Sequence, residues 1–208
     1  MESVPATTLV VSIATVIFLV SGCSKPTPVQ SLIDAAGRGN VAGCERLIKS
    51  GVPVNGTDGN GDTALDWAIY YHHLDVIRKL IELGADVNHT DHAPGYTRGF
   101  TPLMYVATPF RGKGYYPETM AVRNQIAQLL IQNGADVNRS TKAAGAFGGG
   151  DTALHFAVED QNPQLIRMLL AAGASKNVKD EEGYTPMDIA KWSNYAPNTA
   201  VINALEGK

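Results

Sequence analysis

The stretch GDTALDWAIYYHHLDVIRKLIELGADVNHTD, residues 61–91, decides the reading of the chain. Thr63 can cap a first helix through its hydroxyl, and Asp66, three residues on, can answer the free N–H groups. Leu74, Val76, Ile77, Leu80 and Ile81 then fall at helical spacing on a second helix, which Gly84 ends with a left-handed residue. Ala68 is small enough to let neighbouring helices approach.

The rest of the chain restates this unit. GDTAL returns at 150–154, GFTPL stands at 99–103 and GYTPM at 183–187. GADVN at 84–88 recurs at 134–138, with GVPVN at 51–55 and GASKN at 173–177 as weaker copies. The step from Gly51 to Gly84 is 33 residues, as is that from Thr152 to Thr185, and a fixed period of this size predicts a solenoid. Pro102 and Pro186 take the first helical position, where a missing N–H costs nothing.

These motifs resemble the ankyrin repeat, a T-P-L-H-x-A helix followed by an apolar helix ending in G-A-D-V-N. The resemblance covers roughly residues 30–205. It implies an all-α ankyrin-repeat solenoid of about five helix-turn-helix repeats with β-hairpin loops, a fold that binds proteins and usually carries no chemistry. The repeats fall near 30–57, 58–90, 91–140, 141–179 and 180–208. The first lacks the Thr-Pro opening but keeps Leu32, Ala35, Ala36, Leu47, Ile48 and Gly51, so it reads as a cap, like the last. Cys44 stands where Ile77 and Ile166 stand in later repeats and reads as a small core hydrophobe.

The third repeat breaks the period. Thr101 to Gly134 is 33 residues, against 21 from Thr63 to Gly84 and from Thr152 to Gly173, so about 12 extra residues fall near Pro109–Met120. The hairpin before it is longer by 5 and the one after it by 6. Stacking requires none of these insertions, and long surface loops commonly carry function, neutral drift being the alternative.

Residues 9–20, LVVSIATVIFLV, form an uncharged run of 12, short for a membrane-spanning helix and suited to an export signal. Val20-Ser21-Gly22-Cys23 resembles the lipobox of bacterial lipoproteins. That resemblance implies a signal peptide over 1–22, acylation of Cys23, a tether over 23–29 ahead of the ankyrin domain at 30–208, and, with Ser24 next, anchoring to the outer membrane on the periplasmic side. The opening MESVPATT departs from the pattern, carrying Glu2 and no Lys or Arg; an uncleaved N-terminal helix is the alternative.

A net charge of −3 over 208 residues, with pI near 5.9, gives no basic footprint and no reason to expect a nucleic-acid partner. No motif for a nucleophile, a phosphate loop or a paired-cysteine metal site occurs, so the chain reads as no enzyme, with no cofactor and no metal. His155 takes the ankyrin position that resemblance makes a hydrogen-bonder of backbone between repeats. His72 and His73 are adjacent and do not face one another on a helix, while His89 and His92 are three apart. Asn55, Asn88 and Asn138 match a glycosylation pattern, but each is the hairpin Asn of its repeat.

Surface chemistry remains. The ankyrin resemblance places hairpin tips and first-helix faces in a groove, and here the register nominates Arg38, Asn60, Asp62, Tyr70, Tyr71, Thr90, Phe100, Thr108, Ser140, Asp151, Glu159, Asp160, Glu181, Glu182, Tyr184 and Trp192. The inserted loops add Tyr96, Arg98, Phe110, Arg111, Tyr115 and Tyr116. Trp67, Tyr105 and Phe156 fall at a position read as core. The N-terminal and central part of this surface is aromatic, the C-terminal part acidic and suited to a basic partner. The resemblance to exported bacterial ankyrin proteins implies one protein partner in or entering the periplasm: a secreted antibacterial toxin, such as a lipase, that the chain neutralises as an immunity protein. The alternative is a periplasmic enzyme that it scaffolds, for example in peroxide defence.

Overall fold

The computed structural model describes residues 26–90, 99–108, 117–142, 149–192 and 198–208, with the side chains of 117–119 and 192 left aside. Ten helices run through them: α1 (Pro28–Gly37), α2 (Val41–Lys49), α3 (Ala64–Tyr70), α4 (Leu74–Glu82), α5 (Pro102–Ala107), α6 (Pro117–Gln132), α7 (Ala153–Glu159), α8 (Pro163–Ala171), α9 (Pro186–Trp192) and α10 (Thr199–Glu206). The odd-numbered helices stack on one another in order, as do the even-numbered ones, giving two helical layers and five antiparallel pairs. The all-α solenoid expected from the period is what forms. Among the described residues its hairpins form single antiparallel bridges, Thr57 to Thr63 and Ser140 to Thr152, and no extended strand.

The core is one apolar seam between the layers. Leu65, Leu103 and Leu154 supply it from the first helices, and Leu80, Leu130 and Leu169 from the second, all essentially inaccessible to water. Each such side chain contributes about 1.5–3 kcal/mol on burial. Cys44 lies in the same seam, and burial pushes its thiol pKa up, which makes it inert packing.

The openings of the second to fifth repeats fill one slot with three kinds of acceptor. The backbone N–H of Thr63 donates to the Asp66 carboxylate at 2.8 Å and that of Thr185 to Asp188 at 2.9 Å. In the third repeat Met104 sulfur takes this place at 3.5 Å, and in the fourth His155 Nδ1 does so at 3.1 Å. With Nδ1 accepting, the His155 proton sits on Nε2, which faces the Tyr184 carbonyl of the next repeat at 3.4 Å. That is the backbone link between repeats expected of this histidine.

A ladder of asparagines joins the hairpins. The side-chain amide of Asn55 donates to Gly84 O at 3.3 Å and its oxygen accepts from Asp86 N at 2.9 Å. Asn88 repeats this with Gly134 and Asp136, and Asn138 with Gly173 and Ser175. Gly150 is the glycine with two reasons to be one: its φ is +85°, and a Cβ there would stand 2.9 Å from Asp180 Cα.

The third repeat absorbs its insertion in an unequal pair. Helix α5 has six residues and α6 sixteen, against nine in each of α4 and α8. Part of the extra sequence therefore extends α6 at its N-terminus. Residues 109–116 lie outside the described residues.

Candidate functional site

Helix α3 ends in three aromatic residues that fold onto one another. Trp67 and Tyr71 stack at 6.1 Å with 26° between planes, and Tyr70 meets Tyr71 edge-on at 5.0 Å. Tyr71 also stacks on His73 at 6.1 Å. His73 is held in turn, its Nε2 lying 3.0 Å from the Gly37 carbonyl of the preceding repeat. Tyr70 and Tyr71 are the exposed large hydrophobic side chains of the described surface, at 53% and 50%.

This cluster walls a cleft of about 420 Å³ between the second and third repeats, completed by Asn60, Asp62, Asp66 and Tyr105. Trp67 and Tyr105, expected as core, are half-buried: each packs on the apolar seam and also lines the cleft. The Trp67 indole N–H points to the Asp58 carboxylate at 3.4 Å. Asp66 is committed to its helix cap, so it contributes negative field to the cleft more than a direct contact.

In the fourth and fifth repeats, acids gather. Asp151 is half-buried, and its pKa is pushed up to about 7, first by burial and then by Glu159, Asp180, Glu182 and Glu181. Glu159, Glu181 and Glu182 are exposed, Tyr184 half-buried. The structure thus brings these expected acids together and adds Asp180.

Two expected groove residues turn out to be interior. Phe100 is 8% exposed and lies against Phe156 at 5.0 Å and Tyr105 at 5.5 Å, filling the junction of the third and fourth repeats. Asp62 and Asp151 hold the same register position, so nothing local marks an aromatic there as interior. Asp160 is buried as well, because Arg123 reaches it: Nη1 donates to Oδ1 at 3.2 Å, and Nη2 lies 3.0 Å from Oδ2 in an ionic contact without hydrogen-bond alignment. Burial pushes the Asp160 pKa up against the opposing pull of Arg123.

Arg123 escaped the sequence reading. Counting back from the glycine that ends each second helix, it takes the place of Asn40, His73 and Asn162. Asn40 and Asn162 cap their helices there. Arg123 instead donates through Nε and Nη2 to Val106 O at 2.9 and 2.6 Å and through Nη2 to Thr108 O at 2.9 Å. In the second and fourth repeats a tight turn answers the first helix's last carbonyls, with His73 N on Ala68 O and Asn162 N on Ala157 O. The insertion removes that turn, and a guanidinium does the work. Its charge, after burial, also lowers the pKa of His72.

The other expected residues are placed as follows. Asn60, Arg38 and Ser140 are exposed; Asp62, Thr90 and Thr108 are half-buried. Tyr96, Arg98, Phe110, Arg111, Tyr115 and Tyr116 lie outside the described residues, as do Cys23, His92 and the side chain of Trp192. His89 Nε2 is 2.9 Å from Gly61 O, a structural contact between neighbouring hairpins. Among the described residues no group of three or more His, Cys, Asp or Glu side chains converges on a metal position, and no helix is long and apolar enough to cross a membrane.

Comparison with known proteins agrees with this geometry. The family described as ankyrin repeats (3 copies) matches residues 12–91, the single ankyrin repeat 98–142, and ankyrin repeats (many copies) 130–190. An ankyrin repeat protein of fowlpox virus is 31% identical over 116 residues, 56% of this chain and 28% of the viral protein. Alpha-latrotoxin-Lg1a of Latrodectus geometricus is 28% identical over 161 residues, 77% of this chain and 10% of the toxin. The mitochondrial disaggregase of Bos taurus is 28% identical over 176 residues, 83% of this chain and 23% of that protein. The chain spans about a quarter or less of each of these relatives, so the likeness is one of repeats. With its five stacked helix pairs, its capped openings and its asparagine ladder, the chain belongs to the ankyrin-repeat family and is built as a protein-binding module.

Proposed function

We propose that the chain is a periplasmic lipoprotein, anchored through Cys23, whose ankyrin groove binds and inhibits a secreted antibacterial toxin as an immunity protein. The observation that carries the binding part is the pair Tyr70 and Tyr71, half-exposed rings at the lip of a cleft. Aromatic rings in such a position are the usual anchors of a protein interface, each able to contribute about 2 kcal/mol or more when covered. The lipobox-like Val20-Ser21-Gly22-Cys23 supports the location, and the break in period at the third repeat supports a surface shaped for one target.

The test pairs the chain with the effector encoded beside its gene. The expected result is a tight 1:1 complex that abolishes the effector's activity, weakened about 30-fold or more by joint Tyr70→Ala and Tyr71→Ala substitution. An effector left fully active sinks the immunity reading. Loss of a resident envelope enzyme's activity on deletion of the gene moves the assignment to a scaffold of that enzyme. Palmitate labelling that survives Cys23→Ala overturns the anchor.

A further inference from the structure

We propose that the cleft between the second and third repeats seats a cationic side chain, arginine or lysine, carried on a basic extended segment of the partner protein. This rests on the reading of the groove as the partner surface and states what chemistry that surface selects.

Three observations carry it. Ring faces offer the electron-rich quadrupole that attracts a cation within about 6 Å of a ring centre. Here Trp67, Tyr70 and Tyr71 all line the cleft, and the two tyrosines are half open to water. Secondly, the charged residues of the cleft lining are both carboxylates, Asp62 and Asp66, and no Lys or Arg is among the lining residues. An apolar anchor would gain from the rings but would be set against those charges. A guanidinium or ammonium gains from both.

The third observation is register. Counted from the capping threonines Thr63 and Thr152, Tyr70 corresponds to Glu159 and Asp62 to Asp151. A segment lying along the groove would therefore pass from an aromatic and acidic cleft in the second repeat to Asp151, Glu159, Glu181 and Glu182 farther along. The matching positions of the third repeat, Phe100 and Thr108, are uncharged. The only occupant that suits the whole path is one with several positive charges, and the cleft is where one of them is gripped by aromatic rings as well as by carboxylates.

The probe is a capped amino acid. Full-length protein carrying Trp192→Phe keeps Trp67 as its one indole. Its nitrogen-15 indole signal is followed by NMR during titration with N-acetyl-arginine amide, N-acetyl-lysine amide, and N-acetyl-citrulline amide as the neutral isostere. The expected result is a saturable shift with arginine or lysine, at least about fivefold weaker with citrulline. Asp62→Asn should weaken it about threefold, and Tyr70→Ala with Tyr71→Ala should abolish it while the remaining amide spectrum is unchanged. An indole that does not move, or that moves equally with citrulline or with N-acetyl-leucine amide, overturns the proposal. If a partner is held through Tyr70 and Tyr71 while arginine leaves the indole unmoved, the seat fails and the groove reading stands; arginine binding without any partner reverses that outcome.

Discussion

Arg123 shows how one residue repairs a broken repeat. It is 4% exposed, its charge is matched by Asp160, and its remaining donors go to carbonyls that the insertion left without a turn. Arg123→Met should cost about 3–5 kcal/mol in urea unfolding at pH 7, since it leaves a buried carboxylate unpaired as well as two carbonyls. The loss should shrink in acid. With Arg123 gone, burial alone raises the folded Asp160 pKa above the unfolded one, so the protonated form is favoured by folding and stability falls as pH rises through that range. Adding Asp160→Asn to Arg123→Met should recover part of the loss, whereas additive losses would show that the pair is not coupled. The sequence held a signal for this residue, an Arg where Asn40, His73 and Asn162 stand, but its partner Asp160 lies 37 positions away in the next repeat. Asp160 read as a surface acid because period assigns a residue its place within a repeat and says nothing of a single side chain reaching in from a neighbour.

At the scale of elements the sequence was far more legible. Thr63, Thr101, Thr152 and Thr185 marked four first helices, and the apolar runs before Gly84, Gly134 and Gly173 marked three second ones, because caps and helical spacing are local physics. Hidden from it was how the third repeat's extra residues divide between loop and helix, since α6 grows backward through a stretch, PETMAVR, with no apolar period of its own. The asparagines at 55, 88 and 138 were legible in a different way: a potential glycosylation pattern at each is explained by backbone bonding on both faces of the amide. Asn88 makes the link of greatest sequence separation, across the enlarged third repeat, 46 residues to Gly134 and 48 to Asp136. Asn88→Ala should cost about 1–2 kcal/mol for its two bonds. Hydrogen exchange at the Asp136 amide should quicken by about tenfold while the amides of α8 keep their rates. Equal quickening throughout would mean that the repeats open as one unit and the ladder is not a local joint.

Over the whole molecule, charge and aromatic character are sorted along one groove, rings toward the second repeat and acids toward the fourth and fifth. Asp151 is the place where that sorting becomes measurable. Its folded pKa of about 7 stands above the ordinary 3.8, so the folded state holds a proton that the unfolded chain releases. Stability should therefore fall as pH rises from about 4 to about 7 and level off above. The shift sets a ceiling of about 4 kcal/mol, cut by solvent at this half-buried site to on the order of 1–2 kcal/mol. Asp151→Asn should flatten the pH profile and stabilise the protein by that smaller amount at pH 8. A basic segment covering Asp151, Glu159, Asp180, Glu181 and Glu182 would do by attraction what the substitution does by neutrality, pulling the Asp151 pKa down and expelling its proton. Calorimetry of partner binding at pH 7, in buffers of differing ionisation enthalpy, should then show release of about half a proton per complex, absent in Asp151→Asn. A partner that binds with no proton release in either protein docks away from the acidic end, and the groove would be used at its aromatic end alone.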